Sequence, residues 1–130
     1  MPYVTDTHAL VWHMTSDRRL SKNAREIFEK ADRHEERIVI PCIVFFEILY
    51  LTEKKKLIAR FDEFVSLVRP STNYVVESLS LPIVERCREI PRAQVRDPWD
   101  RLIAATSLHL GLPLLTRDAK LAKTGMKTVW

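Results

Sequence analysis

Arg96-Asp97-Pro98-Trp99-Asp100-Arg101-Leu102-Ile103-Ala104-Ala105 and, a few residues on, Gly111-Leu112-Pro113-Leu114-Leu115-Thr116-Arg117-Asp118 read as a helix that starts on acids and a strand that ends on one. Pro98 suits the first turn of a helix, and Gly111 falls where a helix running from about Pro98 to Leu110 needs a left-handed terminal residue. The apolar run from Leu112 to Thr116 is then a strand, and Asp118 follows it. Asp97 and Asp100 lie one turn apart at the head of the helix, so one mouth of the fold can gather both of them with Asp118.

The same helix and strand grammar recurs upstream. Tyr3-Val4-Thr5 is a short strand running into Asp6, and Ala9, Leu10 and Trp12 after it suit a short helix. Ser21 can cap a helix from Lys22 to about Arg33, with Ala24, Ile27, Phe28 and Ala31 at helical spacing. Ile38-Val39-Ile40 is a second β-branched strand, with Pro41 expected in the first turn of the helix that carries Glu47 to Leu51. Phe61, Phe64, Val65 and Val68 mark an amphipathic helix that Pro70 stops. Tyr74-Val75-Val76 is another strand, Ser80 can cap a helix through Val84, Cys87 and Ile90, and Thr128-Val129-Trp130 supplies an edge strand. Strands alternating with helices predict an α/β fold: three layers, with a central parallel sheet of four to five strands and helices on both faces. Ligands of such sheets bind beyond the carboxyl ends of the strands.

With 130 residues, 46% of them hydrophobic, the chain is expected to form a single domain over 1–130 that buries roughly two-thirds of the surface of its unfolded form. Twenty-one Lys and Arg against 17 Asp and Glu give a net charge of +4, which permits a polyanionic partner without requiring one. Cys42 and Cys87 have no metal-site spacing and read as small reduced core residues, as in a cytoplasmic protein. No export signal is visible, and the apolar stretch from Ile38 to Leu51 contains Pro41 and Glu47 and falls short of the ~20 residues a bilayer span needs, so no membrane partner is expected. With only Gly111 and Gly125, no P-loop or dinucleotide fingerprint is possible.

Chemistry therefore rests on the acids. Asp6 and Asp118 each close a strand, where a helix cap and a functional carboxylate look alike. Asp97, before Pro98, fits an N-cap. Glu47 interrupts Ile43-Val44-Phe45-Phe46 and Ile48-Leu49-Tyr50-Leu51, so its neighbours on both sides are expected to be buried and its charge to be paired, protonated or metal-bound. Two carboxylates ~4 Å apart repel by about 4 kcal/mol at an effective dielectric near 20, so converging acids call for a cation. All-oxygen ligands favour Mg²⁺ or Mn²⁺, and acids plus a hard cation on a basic chain point to phosphodiester hydrolysis.

Taken in order, Asp6-Thr7-His8-Ala9-Leu10-Val11-Trp12, Arg19-Leu20-Ser21, Phe46-Glu47-Ile48, Asp97-Pro98-Trp99-Asp100-Arg101-Leu102-Ile103-Ala104 and Leu115-Thr116-Arg117-Asp118 resemble, nearly end to end, the PIN-domain ribonucleases, in particular the VapC-like toxins of type II toxin–antitoxin pairs. The resemblance implies a PIN-like fold and a Mg²⁺- or Mn²⁺-dependent endoribonuclease with Asp6, Glu47, Asp100 and Asp118 as catalytic metal-binding acids. It implies Thr116 as part of the same pocket, His8 and Asp97 as supporting residues, and a homodimer neutralised by a cognate antitoxin that lays a C-terminal segment across the acidic mouth. Arg101 and Arg117, beside the acids, are candidate contacts to RNA phosphate. Two other readings compete: a receiver-like phosphoacceptor signalling domain, which has similar length and a parallel sheet but needs an acidic pair after its first strand, and a catalytically inactive PIN-like binding module.

Overall fold

Short β-branched and leucine-rich runs become strands because both faces of a parallel sheet are covered and only apolar residues suit that position. In this computed structural model, which describes residues 2–130, the strands are β1 (Tyr3–Thr5), β2 (Ile38–Pro41), β3 (Tyr74–Glu77), β4 (Leu114–Leu115) and β5 (Thr128–Val129). They form one five-stranded sheet in the order β3-β2-β1-β4-β5, every pairing parallel. All four residues of β2 are buried although successive side chains point to opposite faces, so helices cover both sides.

The connections are α1 (Thr7–Met14) and α2 (Lys22–Asp32), then α3 (Cys42–Glu53) and α4 (Phe61–Val68), then α5 (Leu81–Arg86), a single 3₁₀ turn (Cys87–Glu89) and α6 (Pro98–Leu110), and finally α7 (Ala119–Ala122). Phe28, Phe64, Leu10, Ile48, Ile83 and Ile103 are fully buried among them, each stabilising by about 2 kcal/mol relative to exposure. Ser21 caps α2 by accepting from the Ala24 N–H at 3.1 Å. Gly111 closes α6 at φ 66°, and the Gly111 and Leu112 N–H groups turn back to the carbonyls of Leu108 and Ser107.

The chain moves outward from β1 to β2 and β3 and then returns to lay β4 on the other side of β1. That reversal opens a crevice beyond the carboxyl ends of β1 and β4, the place where open α/β sheets bind ligands. The order also differs from the 2-1-3-4-5 arrangement of receiver domains, which removes the phosphoacceptor reading.

Four local expectations are corrected. Pro41 is the last residue of β2, opposite Glu77, and precedes α3; its missing N–H costs nothing because the β1 pairing has ended at Val39. The helix after Ser80 stops at Arg86, since Ile90 is drawn into extended backbone by Pro91. The strand from Leu112 shortens to Leu114–Leu115 because the Leu112 N–H is committed to the end of α6 and Pro113 has none to give. Both cysteines are free thiols, but Cys42 is exposed and not a core residue, whereas Cys87 is half-buried and packs against the core. Among the described residues, no helix is long and apolar enough to cross a membrane.

Candidate metal centre and nucleic-acid mouth

Three acids cap the helices that start around the crevice, Asp6 directly after β1. Asp6 caps α1, the Ala9 N–H donating to its Oδ1 at 2.8 Å. Asp97 caps α6, its Oδ1 accepting from the N–H groups of Trp99 at 2.8 Å and Asp100 at 3.4 Å. Asp118 caps α7 through the Lys120 N–H at 2.9 Å. The capping and functional readings of these residues are therefore compatible. Helix N-termini carry partial positive charge, so the ends of α1 and α6 offset part of the repulsion among the gathered carboxylates. Asp100 lies in the first turn of α6.

Glu47 arrives from α3 and is fixed from below: the Thr7 hydroxyl donates to its Oε1 at 2.5 Å. Thr7 is buried, while Glu47 itself is half-buried. Its flanks differ from expectation, because Ile48 is fully buried but Phe46 is 52% exposed and its ring lies tilted to that of Trp99 with centroids 5.4 Å apart. Thr116, buried at the end of β4, accepts from the Asp118 N–H at 3.1 Å through its hydroxyl oxygen and hydrogen-bonds the Asp6 carboxyl. One hydroxyl thus sets two acids in register.

The electrostatics tie the set together. Asp100 is pushed up from an ordinary 3.8 to about 7, first by burial and then by the negative charges of Asp97, Glu47, Asp6 and Asp118. Asp6 is also raised by burial, held back by its bonds to Thr116 and Ala9 and by His8. Asp6, Asp100 and Asp118 line one cavity of about 330 Å³ together with His8, Thr116 and Arg117. Glu47 and Asp97 are outside that lining and act on Asp100 through their charge. Among the described residues, no three His, Cys, Asp or Glu side chains close on one point as a ready cage. An open set of oxygen donors matches an ion that keeps several of its own waters, as Mg²⁺ does, and not a tightly caged one. The donor chemistry fits a hard divalent cation: acids only, whose mutual repulsion no bonded lysine or arginine compensates among the described residues.

Arg101 does not join the mouth. Its Nη2 donates to the carbonyls of Cys87 at 2.7 Å and Ile90 at 3.1 Å, pinning the 3₁₀ turn to α6, so it serves the fold and is withdrawn as a phosphate contact. Arg117 is exposed at the rim, its guanidinium 5.6 Å from the centre of the Trp12 ring. Two residues of the rim went unassigned in the sequence. Trp12 reads as core from its spacing, yet it lines the cavity and carries Arg19 at 4.7 Å and the His8 ring at 5.5 Å. Arg19 is itself held by Asp17, through Nε to Oδ1 at 3.0 Å and Nη2 to Oδ2 at 2.8 Å. Thr7, the support of Glu47, also went unassigned. Its one signal was its place directly after Asp6.

The PIN domain profile matches residues 3–127. Ribonuclease VapC22 of Mycobacterium tuberculosis is 26% identical over 116 residues, which cover 89% of this chain and 86% of that protein. Among solved structures, the VapBC2 complex of Rickettsia felis bound to a DNA fragment from its promoter superposes with a TM-score of 0.71 at 17% identity, covering 99% of this chain and 98% of the other. The sarcin–ricin loop cleaving toxin VapC20 of Mycobacterium tuberculosis gives a TM-score of 0.69 at 16% identity over 95% of each chain. A parallel sheet ordered β3-β2-β1-β4-β5, acids at its switch point and a profile match across almost the whole length have one common source: the chain belongs to the PIN-domain family.

Proposed function

We propose that the protein is a divalent-metal-dependent endoribonuclease, the toxin of a type II toxin–antitoxin pair acting on RNA in the cytoplasm. The observation that carries this reading is the field at Asp100, where burial and four other carboxylates raise one acid to about 7 inside a cavity at the sheet's switch point. A fold does not retain such a cluster for stability, because each added acid costs free energy in the absence of a cation. The kinship with a VapC ribonuclease supports the reaction class, and the likeness to toxin–antitoxin structures supports an antitoxin as partner. Self-association as a homodimer belongs to the same reading.

Asp6, Glu47, Asp100 and Asp118 would hold Mg²⁺ or Mn²⁺. When bound, such an ion offsets charge developing on the phosphodiester and makes water a competent nucleophile at neutral pH. The chain's own residues do the rest. Thr116 aligns Asp6 with Asp118, and Thr7 holds Glu47 toward the shared field. Asp100 holds a proton below about pH 7 and releases it above, so its own oxygens become available to a cation in the neutral range. Trp12, Ile103 and Leu121 form apolar walls that limit water around the acids, and Arg117 places a cation at the rim where a substrate phosphate enters.

The test is direct. Purified protein incubated with single-stranded RNA is expected to produce new 5′ ends in Mg²⁺ or Mn²⁺ and none in EDTA, and Asp6→Ala and Asp118→Ala, folded by circular dichroism, are expected to lose cleavage. Undiminished cutting in EDTA, or by either variant, contradicts the proposal. RNA binding by the native chain without any cleavage in metal favours the inactive binding module instead.

A further inference from the structure

Beside the acidic mouth lies a surface of opposite sign. Ala93, Gln94, Arg96, Lys120 and Lys123 line a cleft of about 480 Å³, and a second of about 490 Å³, lined by Arg92, Ala93 and Arg96, continues it. No acidic side chain lines either cleft. Arg92, Arg96, Lys120 and Lys123 are all exposed, and none of them makes an ion pair among the described residues. Several arginines elsewhere do have acidic partners, as Arg19 has Asp17, Arg33 has Glu35 and Arg86 has Glu89, and what sets this group apart is that four unpaired cations share adjoining clefts.

This group is joined to the mouth by two short stretches of chain. Asp118, the N-cap of α7, and Leu121 within it line the acidic cavity, whereas Lys120 and the C-cap Lys123 line the cleft. On the other side, Arg96 directly precedes Asp97, the cap of α6. A strand whose phosphodiester reaches the acids therefore leaves over α7 or the head of α6 onto unpaired cations. A mouth of about 330 Å³ is too small for a duplex, so the strand there is unpaired. Exposed Lys and Arg without partners gain most from a polyanion, by releasing its condensed counterions.

We propose that the cleft formed by Arg96, Lys120 and Lys123, extended by Arg92, is a phosphate-backbone subsite that holds the single-stranded RNA flanking the scissile bond. This inference rests on the nuclease reading for its substrate, but not on its chemistry. The cleft makes no base-specific contact of its own, so it contributes affinity and register, and sequence selection lies elsewhere.

The experiment measures binding without turnover. Full-length protein in EDTA is titrated into a fluorescein-labelled single-stranded RNA 12-mer at several salt concentrations, for the native chain, for Arg96→Gln/Lys120→Gln/Lys123→Gln and for Lys30→Gln on exposed α2 as a control. The triple variant is expected to bind at least tenfold more weakly at low salt. The slope of log affinity against log salt should fall by about 2, given ~0.7 per phosphate contact on a single strand. Lys30→Gln should match the native chain, and circular dichroism should show all three folded alike. Equal affinity and equal slope in the triple variant overturn the subsite, even if the native protein cuts RNA in Mg²⁺. An acidic peptide such as oligoglutamate that loses binding to the triple variant while RNA does not also overturns it, and assigns the cleft to an acidic protein partner. Weakened RNA binding in the variant, with no cleavage by the native chain in metal, upholds the subsite and overturns the nuclease reading.

Discussion

Asp100→Asn will make the metal-free protein more stable at pH 8 while lowering RNA cleavage in Mg²⁺ or Mn²⁺ by about 10³-fold, a loss of ~4 kcal/mol in transition-state stabilisation. The two effects have one cause. In the fold the Asp100 carboxyl is raised from 3.8 to about 7, by burial first and by Asp97, Glu47, Asp6 and Asp118 after it. A raised acid favours folding while it is protonated, so its contribution is full below pH 3.8 and is lost as the pH climbs through 7. Taken at face value the shift is worth ~4 kcal/mol, but the mouth is open to water and screening reduces this to ~1–2 kcal/mol. Asparagine keeps the shape and carries no charge. Its advantage over the native residue should be near zero at pH 3.5, grow between pH 4 and 7 and level off above 8, as a Tm difference of about 4–8 °C in EDTA. Adding Mn²⁺ should reverse the ranking, because only the native protein gains from a bound cation. Thermal melts across pH, with and without metal, read all of this. A variant less stable than the native chain at pH 8 in EDTA would mean that Asp100 does not stand in a repulsive field.

Trp12→Ala carries the other large effect. Trp12 is 7% exposed, edge-on to Trp130 at 5.8 Å and under the guanidiniums of Arg19 and Arg117. Removing so large a buried ring is expected to cost 3–5 kcal/mol of stability, about 12–20 °C in Tm for a chain of this size. The rim loses its aromatic platform at the same time. Each cation–ring contact contributes ~0.5–1 kcal/mol at a half-open site, so releasing both arginines should raise KM about tenfold in the fraction that folds, with kcat changed less. Trp12→Phe keeps a ring under the arginines and should recover most of KM but less of the stability. Equal loss of KM in the two variants would show that Trp12 supports the fold without organising the rim.

What was legible in the sequence follows the range of the forces involved. Strands β1 and β2, the caps Ser21 and Asp97, and the left-handed Gly111 depend on a few adjacent residues, and the local rules place them within a residue or two. Parallel pairing follows from the alternation of strands and helices, and the gathering of Asp6 and Asp118 from their position after β1 and β4, which that pairing makes neighbours. Arg101 was opaque because its direction is set by carbonyls of Cys87 and Ile90, which only tertiary packing brings against α6. Exposed Cys42 looked like a core residue because an apolar context in sequence does not say which face of α3 is covered. Trp12 is buried on the short helix its spacing predicts, but its second task needs Arg19 from beyond a turn and Arg117 from the far end of the chain.

On the proposed reading, Glu47 of α3 and the acids at the heads of α1, α6 and α7 share one divalent cation. Anomalous diffraction from crystals soaked in Mn²⁺ at pH 8 measures it most directly. A peak is expected inside the crevice beyond β1 and β4, with Asp6 and Asp100 as direct ligands and Glu47 and Asp118 ligating directly or through water. Manganese bound only elsewhere, or a crevice that stays empty at millimolar metal, would contradict it.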